Sequence, residues 1–420
     1  MPIELSGITF TEPGGFVGVS GEEEILNNGF ANTFAGNDLI VGNSENSISS
    51  TRKRISGVYN SGTFNTSDGN DIIFGTANYD DLIPDTYEYT ISGLYNSGTL
   101  NTSDGNDVIL GIRYQQGKYR YSDSYGSGIF SQGGTIDTGD GDDIITGISE
   151  GFLSRGIEIG SNNTYLKRPG TINTGNGNDT IMGSGAYTGI DIDSFIDTVD
   201  PIIDTGKGDD IITGTGSYNG LNLSSFLNTG DGNDTISGIS YSGYAIRNSD
   251  TLNTGDGNDI ITGTSTYGRT IFNTGIIDTG DGDDIIIGIR TEDSLSENLA
   301  NTDTINTGDA DDGRITNTGT INTGNGADSV IADNGFFARE GNIFLGNGTD
   351  YIRGFGSANF NGGNDQDSLE LMSGAYTIEI SGTTVSFNSS NSNRSGAIAI
   401  LAGVVNFLPH PSPPFTKGRE

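Results

Sequence analysis

Cysteine and tryptophan are absent from the 420 residues, and His410 is the sole histidine. Without cysteine there is no disulfide framework and no thiolate metal site. One histidine in a Pro-rich stretch leaves no Ser/His/Asp arrangement to build a nucleophilic enzyme on. Basic residues number 19 against 55 acidic ones, a net charge of −36, which excludes the basic face that nucleic-acid binding needs. No run approaches the ~18 apolar residues of a membrane-spanning helix. The first residues, MPIELSGITF, show no basic stretch followed by an apolar run, so no N-terminal signal peptide is expected. Helix formers are sparse, and the G-x-G pairs lead into β-type runs rather than helices, so no phosphate-binding P-loop is expected.

Glycine and aspartate are plentiful. Gly accounts for 68 residues, and 40 of the 55 acidic residues are Asp. Glycine tolerates φ > 0, so a chain this rich in it turns sharply and often. A bias to the shorter carboxylate within such turns points to hard-cation binding rather than a solubilising surface.

Both residues belong to one recurring phrase, T-G-x-G-x-D-x-I-x-G. It reads TGDGDDIITG at 138–147, TGNGNDTIMG at 174–183, TGKGDDIITG at 205–214, TGDGNDTISG at 229–238, TGDGNDIITG at 254–263 and TGDGDDIIIG at 279–288. Earlier copies are TFAGNDLIVG at 33–42, TSDGNDIIFG at 66–75 and TSDGNDVILG at 102–111. Looser copies surround Asp312, Asp328, Asp350 and Asp367, thirteen in all. A fixed period of this length defines a repeat protein. The key aspartates are 24–25 residues apart from Asp210 to Asp259, 31–36 apart before that, and 16–28 apart after it.

A regular coil, residues 251–275, offers β-type pieces at Leu252–Thr254, Ile260–Thr262 and Thr270–Asn273 separated by Gly corners. Three short strands in about 24 residues predict an all-β fold, a right-handed parallel β-solenoid (β-helix or β-roll) of about 12–13 stacked coils with β-caps. At ~4.8 Å per coil the rod is ~60 Å long. Ile40, Ile73, Ile109, Ile145, Ile181, Ile212, Ile236, Ile261 and Ile286 recur two residues after each Asp and predict an inward β-branched ladder. The position before it varies among Ile, Val, Leu and Thr, as a half-exposed row would. Residues 1–31 read as an N-terminal cap, 32–371 as the solenoid, 372–407 as a C-terminal β-cap and 408–420 as a disordered tail. A monomer is expected.

The loop G-x-G-x-D brings carbonyls and one carboxylate toward a single point. Calcium takes ~6–8 oxygen ligands, more than one loop supplies, so an ion is expected between neighbouring coils. The candidate ligands are Asp38, Asp71, Asp107, Asp143, Asp179, Asp210, Asp234, Asp259, Asp284, Asp328, Asp350 and Asp367. The third loop position is Asp140 or Asp231 but also Asn176 and Lys207, so it is not a ligand. The alternative is that these are plain turns holding corners without an ion, which leaves a stack of like charges uncompensated.

On these residues the chain resembles the RTX, or haemolysin-type calcium-binding, repeat family, whose nonapeptide is G-G-x-G-x-D-x-U-x. GGNDQDSLE at 362–370 keeps both leading glycines, with Asp365 in place of the third. In most other copies the first glycine is Thr, and the middle coils carry one motif per 24–25 residues, so one calcium column is expected, not two. The resemblance implies Ca2+ as the cofactor, folding coupled to calcium, and export by type I secretion through a C-terminal signal within 372–407 to an extracellular or cell-surface location. A structural or surface-binding role follows.

Further expectations concern four long coils, with extra chain near 76–96, 112–133, 148–168 and 184–200. In solenoids such insertions often form the binding face, and these are expected to stack on one flank. Arg113, Lys118 and Arg120 with Tyr114, Tyr119, Tyr121 and Tyr125 suggest an extracellular polysaccharide as partner. A polysaccharide lyase or epimerase on this flank is the enzyme alternative, by analogy of fold alone. An adhesin or ice-binding surface on the threonine ladder (Thr138, Thr174, Thr205, Thr229, Thr254, Thr279) is a third, although a structural role explains those residues more simply.

Overall fold

The computed structural model describes residues 3–4, 8–9, 16–18, 24–33, 35–45, 54–80, 90–116, 126–160, 169–193, 202–291, 315–317, 320–331, 336–337, 342–353, 359–363, 367–371, 376–381, 384–389, 396–399 and 406–409. Among these there is no helix, and three parallel sheets of 12, 13 and 14 strands run the length of the chain. Each coil contributes one strand to each sheet. In the coil that begins at Arg155 the order is Arg155–Gly160 in the first sheet, Thr171–Asn173 in the second, the Gly/Asp corner, then Thr180–Gly185 in the third. Every strand pairs in register with its equivalent one coil away, as Ile145 does with Ile109 and Ile181. The chain is a β-helical repeat protein.

The nine-isoleucine ladder is wholly buried and continues as Val330, Ile352 and Leu369. It meets a second-sheet ladder (Phe64, Leu100, Ile136, Ile172, Ile203, Leu227, Leu252, Ile277) and a first-sheet ladder (Val58, Leu94, Ile129, Ile157, Ile190, Leu221, Ile246, Ile271) in one continuous core. The core is therefore three residues thick at most levels and four where Ile159, Ile192 and Leu223 join it, thin as the scarcity of apolar residues requires.

The glycine that closes each motif is not a corner residue. It lies mid-strand in the third sheet, facing inward, where the first sheet comes so close that no side chain fits. A Cβ on Gly147 would sit 2.3 Å from the Gly156 carbonyl oxygen, and one on Gly156 would sit 2.1 Å from the Ser184 nitrogen. The third-sheet strands therefore run on past this glycine, to Ser265 in the coil where Ile260–Thr262 was expected.

Chain ends and insertions depart from expectation in part. Residues 3–4, 8–9 and 16–18 add one strand to each sheet. At the other end Tyr376–Ser381, Thr384–Ser389 and Gly396–Ala399 form a separate antiparallel sheet. Asn406–Pro409 then pairs with Ser368–Leu371, so Leu408 and Pro409, expected to open a disordered tail, lie in a strand. Residues 410–420, with His410, lie outside the described residues. The Asp312 copy is also outside them, and the ladder passes from Asp284 directly to Asp328, a single coil of 44 residues. The long coils do not share one flank. Residues 46–53, 81–89 and 117–125 separate third-sheet from first-sheet strands, whereas 161–168 and 194–201 separate first-sheet from second-sheet strands.

Candidate functional site

The Gly/Asp corner joins the second sheet to the third. Its first true glycine takes the left-handed region (φ 80° at Gly139, 82° at Gly175), and in the TSDGND copies Ser67 and Ser103 are held there at 62° and 61°. A left-handed non-glycine residue costs ~1–2 kcal/mol, so the stacked corners enforce this shape even where the residue resists it.

All twelve aspartates predicted from the sequence fall in one column, each 6 % exposed or less. From Asp71 to Asp367, each Asp Oδ1 accepts the backbone N–H of the equivalent Asp in the preceding coil. Asp38 donates to Asp71 at 2.8 Å, Asp71 to Asp107 at 2.7 Å, and so on to Asp350 and Asp367 at 3.2 Å. An outer Asx ladder runs the opposite way, from Asn70 N–H to Asn37 Oδ1 at 3.0 Å through Ala327 N–H to Asp283 Oδ1 at 2.7 Å. The two ladders clamp each corner from both neighbours.

The second carboxylate oxygen is left over. Oδ2 of Asp38, Asp71, Asp107, Asp143, Asp179, Asp234, Asp259, Asp284 and Asp328 is buried without a hydrogen-bond partner. Such an atom costs ~1–3 kcal/mol, more when charged. Burial, reinforced in several coils by the neighbouring carboxylates, pushes the acids up to about 7 for Asp71, about 8 for Asp143 and Asp210, and about 7 for Asp259 and Asp284. Burial takes Asp107, Asp179, Asp234 and Asp328 to about 6.

From Asp71 to Asp328 a threonine five residues before the Asp opposes this rise. Thr66, Thr102, Thr138, Thr174, Thr205, Thr229 and Thr254 are fully buried. In one coil the contact is a hydrogen bond of 2.5 Å from Thr205 Oγ1 to Asp210 Oδ2. Threonine in place of the nonapeptide's leading glycine is thus a partner of the carboxylate. The same burial excludes this ladder as an ice-binding or adhesive surface. Thr205→Val removes one such bond and should destabilise the protein by about 1 kcal/mol in denaturant titration.

The donor set fits calcium within limits. Among the described residues no three His, Cys, Asp or Glu side chains converge, so the carboxylates alone cannot coordinate an ion. A column of buried Asp Oδ2 atoms, most of them left over by the backbone ladder, with ligands completed by backbone carbonyls, matches an oxygen-seeking cation of flexible geometry. The third-position residues are exposed, and Lys207 there pairs with Asp231, which agrees with a non-ligand role.

The polysaccharide candidates are not assembled. Arg113 is fully buried and donates to Ser149 Oγ at 3.2 Å and to the Glu150 carbonyl at 3.0 Å. A strand position facing the core holds it there. Tyr114 is exposed, and Lys118, Tyr119, Arg120, Tyr121 and Tyr125 lie outside the described residues. Two features went unread in the sequence. A buried asparagine ladder links Asn27 to Asn60 and Asn60 to Asn96, at 2.8 and 2.9 Å, and the repeated YNSG at 59–62 and 95–98 is its signal. A buried ionic cluster joins Arg155 to Glu158 and Asp191, with Ser127 Oγ donating to Glu158 at 2.6 Å. Arg155 and Glu158 share a strand, but Asp191 and Ser127 come from the coils on either side, so no local motif marks the cluster.

No family model matches the chain, and no curated protein matches it. Among solved structures, a hyperactive, Ca2+-dependent, β-helical antifreeze protein from an Antarctic bacterium is similar at 17 % identity, over 85 % of this chain and 83 % of that one, with a TM-score of 0.36.

Proposed function

We propose that this protein is an exported calcium-binding β-solenoid of the RTX type, serving as a structural or surface-binding module. The observation that carries the reading is the column of buried Oδ2 atoms, one per coil, in a corner that already satisfies its own N–H groups. Asp38, Asp71, Asp107, Asp143, Asp179, Asp210, Asp234, Asp259, Asp284, Asp328, Asp350 and Asp367 would hold the ions with backbone carbonyls of adjacent corners. When bound, the cation supplies the positive charge that lets a stack of carboxylates stay ionised in a buried place.

Calcium then acts as a folding switch. Sites of Kd ~10⁻⁴–10⁻³ M at ~10 mM calcium each add ~1.4–2.7 kcal/mol by mass action, and several together rival the ~5–15 kcal/mol of a whole domain. At cytosolic calcium this gain vanishes, so the chain stays unfolded before export and folds outside the cell. The segment 372–407 is the candidate type I secretion signal. A polysaccharide remains the partner class of this reading, although the buried Arg113 removes one cation from the flank first assigned to it.

The test is far-UV circular dichroism of EGTA-stripped protein titrated with calcium. A coil spectrum that turns cooperatively to β between micromolar and millimolar calcium is the expected result. A β spectrum that calcium leaves unchanged would reduce the aspartates to turn residues.

A further inference from the structure

The third sheet presents outward rows without charge next to the Gly/Asp corner, Glu45 and Asp80 coming only at the far ends of their strands. In each of nine consecutive coils three side chains point away from the core, from Leu39, Val41 and Asn43 in the first to Ile285, Ile287 and Ile289 in the ninth. Between them the register stacks rows such as Ile72–Phe74–Thr76, Val108–Leu110–Ile112 and Ile211–Thr213–Thr215. None of these 27 residues is charged, in a chain of which 18 % is. Many are large and apolar: Met182 is 40 % exposed and Ile211 45 %, with Ile72, Ile144, Ile239 and Ile260 similar.

We propose that this face is the interface of a homodimer, two copies packing third sheet against third sheet, in place of the monomer the sequence suggested. Charge selects the partner. Two chains of −36 each repel through the acidic ridge of the Gly/Asp corners, which flanks this sheet, and only the charge-free face lets them approach. Area is sufficient. Nine coils at ~4.8 Å and five residues at ~3.3 Å give roughly 700 Å² per copy. The pair buries about 1,400 Å², within the range of stable interfaces.

Charge also selects the orientation. Beyond the ninth coil the outward rows acquire Arg353 and Glu370. Parallel rods set each of these against its own copy. Antiparallel rods centred on the fifth coil place all nine neutral rungs opposite one another and leave the charged rungs outside. Met182 then faces the partner's Met182 across the two-fold axis, a self-complementary arrangement.

Sedimentation in calcium-containing buffer tests the pairing. Wild type should sediment with twice the 43.8 kDa chain mass. Met182→Asp should sediment as a single chain, and Thr171→Asp, on the outer face of the second sheet, should remain a dimer. Circular dichroism of the same samples separates loss of pairing from loss of fold. Because the chain lacks cysteine, single nitroxide labels report orientation. Labels at Met182→Cys should lie within ~20 Å of each other, and labels at Ile72→Cys, six coil spacings apart, at ~30 Å. Folded wild-type protein that keeps the mass of one chain at ~100 µM would overturn the proposal, and a short Ile72 distance would overturn its antiparallel form.

Discussion

Gly156→Val should unfold the solenoid, or cost it well over 3 kcal/mol, although the substitution adds only apolar atoms to a buried site. Its Cβ would meet the Ser184 nitrogen at 2.1 Å, the Gly183 carbonyl carbon at 2.5 Å and the Gly189 oxygen at 2.6 Å. All three are backbone atoms of strands hydrogen-bonded on both sides. Overpacking a core commonly costs ~1–3 kcal/mol because side chains shift to absorb it; here none is available to shift. The same contact recurs at Gly57, Gly93, Gly128, Gly189 and Gly220, so a forced opening at one level propagates into its neighbours. Urea titration followed by circular dichroism reads the loss. Thr171→Val, on an outer face, serves as the control and should change stability by less than about 0.5 kcal/mol. A Gly156→Val protein as stable as wild type would mean that the first and third sheets can separate freely.

This glycine pair shows where sequence reading stops. The motif's own glycines, the aspartate column and the isoleucine ladder recur at fixed spacing, and identical side chains at one spacing stack when strands pair in register. The fold class and the position of all twelve aspartates were therefore legible. The closing Gly147 looked like a corner because glycine usually marks one, yet its role depends on Gly156, a residue of another strand whose approach leaves no trace in local sequence. The insertions failed for a similar reason. Counting residues between aspartates gives the surplus in a coil but not the corner at which it leaves, and 161–168 departs from a different corner than 117–125. Arg113 was read as a surface cation because arginine is rarely buried. Strand alternation placed it inward, with Ser149 and the Glu150 carbonyl to receive it.

The metal-free protein should become less stable as pH rises, the reverse of a protein held together by ionised carboxylates. Nine column aspartates have native values of about 6 to about 8 against the ordinary 3.8 of an aspartate, raised first by burial. Between the two the native state holds protons that the unfolded chain has already lost. The slope of stability with pH is therefore negative. The contribution is complete below the unfolded value and is lost as pH climbs through the native values. One unit is worth ~1.4 kcal/mol per group, and nine groups act in one column. In EGTA the fold that protons hold at pH 5 should thus lose on the order of 10 °C or more of melting temperature as pH rises, ending in the coil expected of the stripped protein near neutral pH. On the proposed reading calcium would replace the protons: it would bind the ionised form, so its affinity should rise with pH, and saturating calcium should abolish the fall. A melting temperature that rises with pH in EGTA would show that the column is ionised and compensated without metal, and would remove the electrostatic reason for placing calcium there.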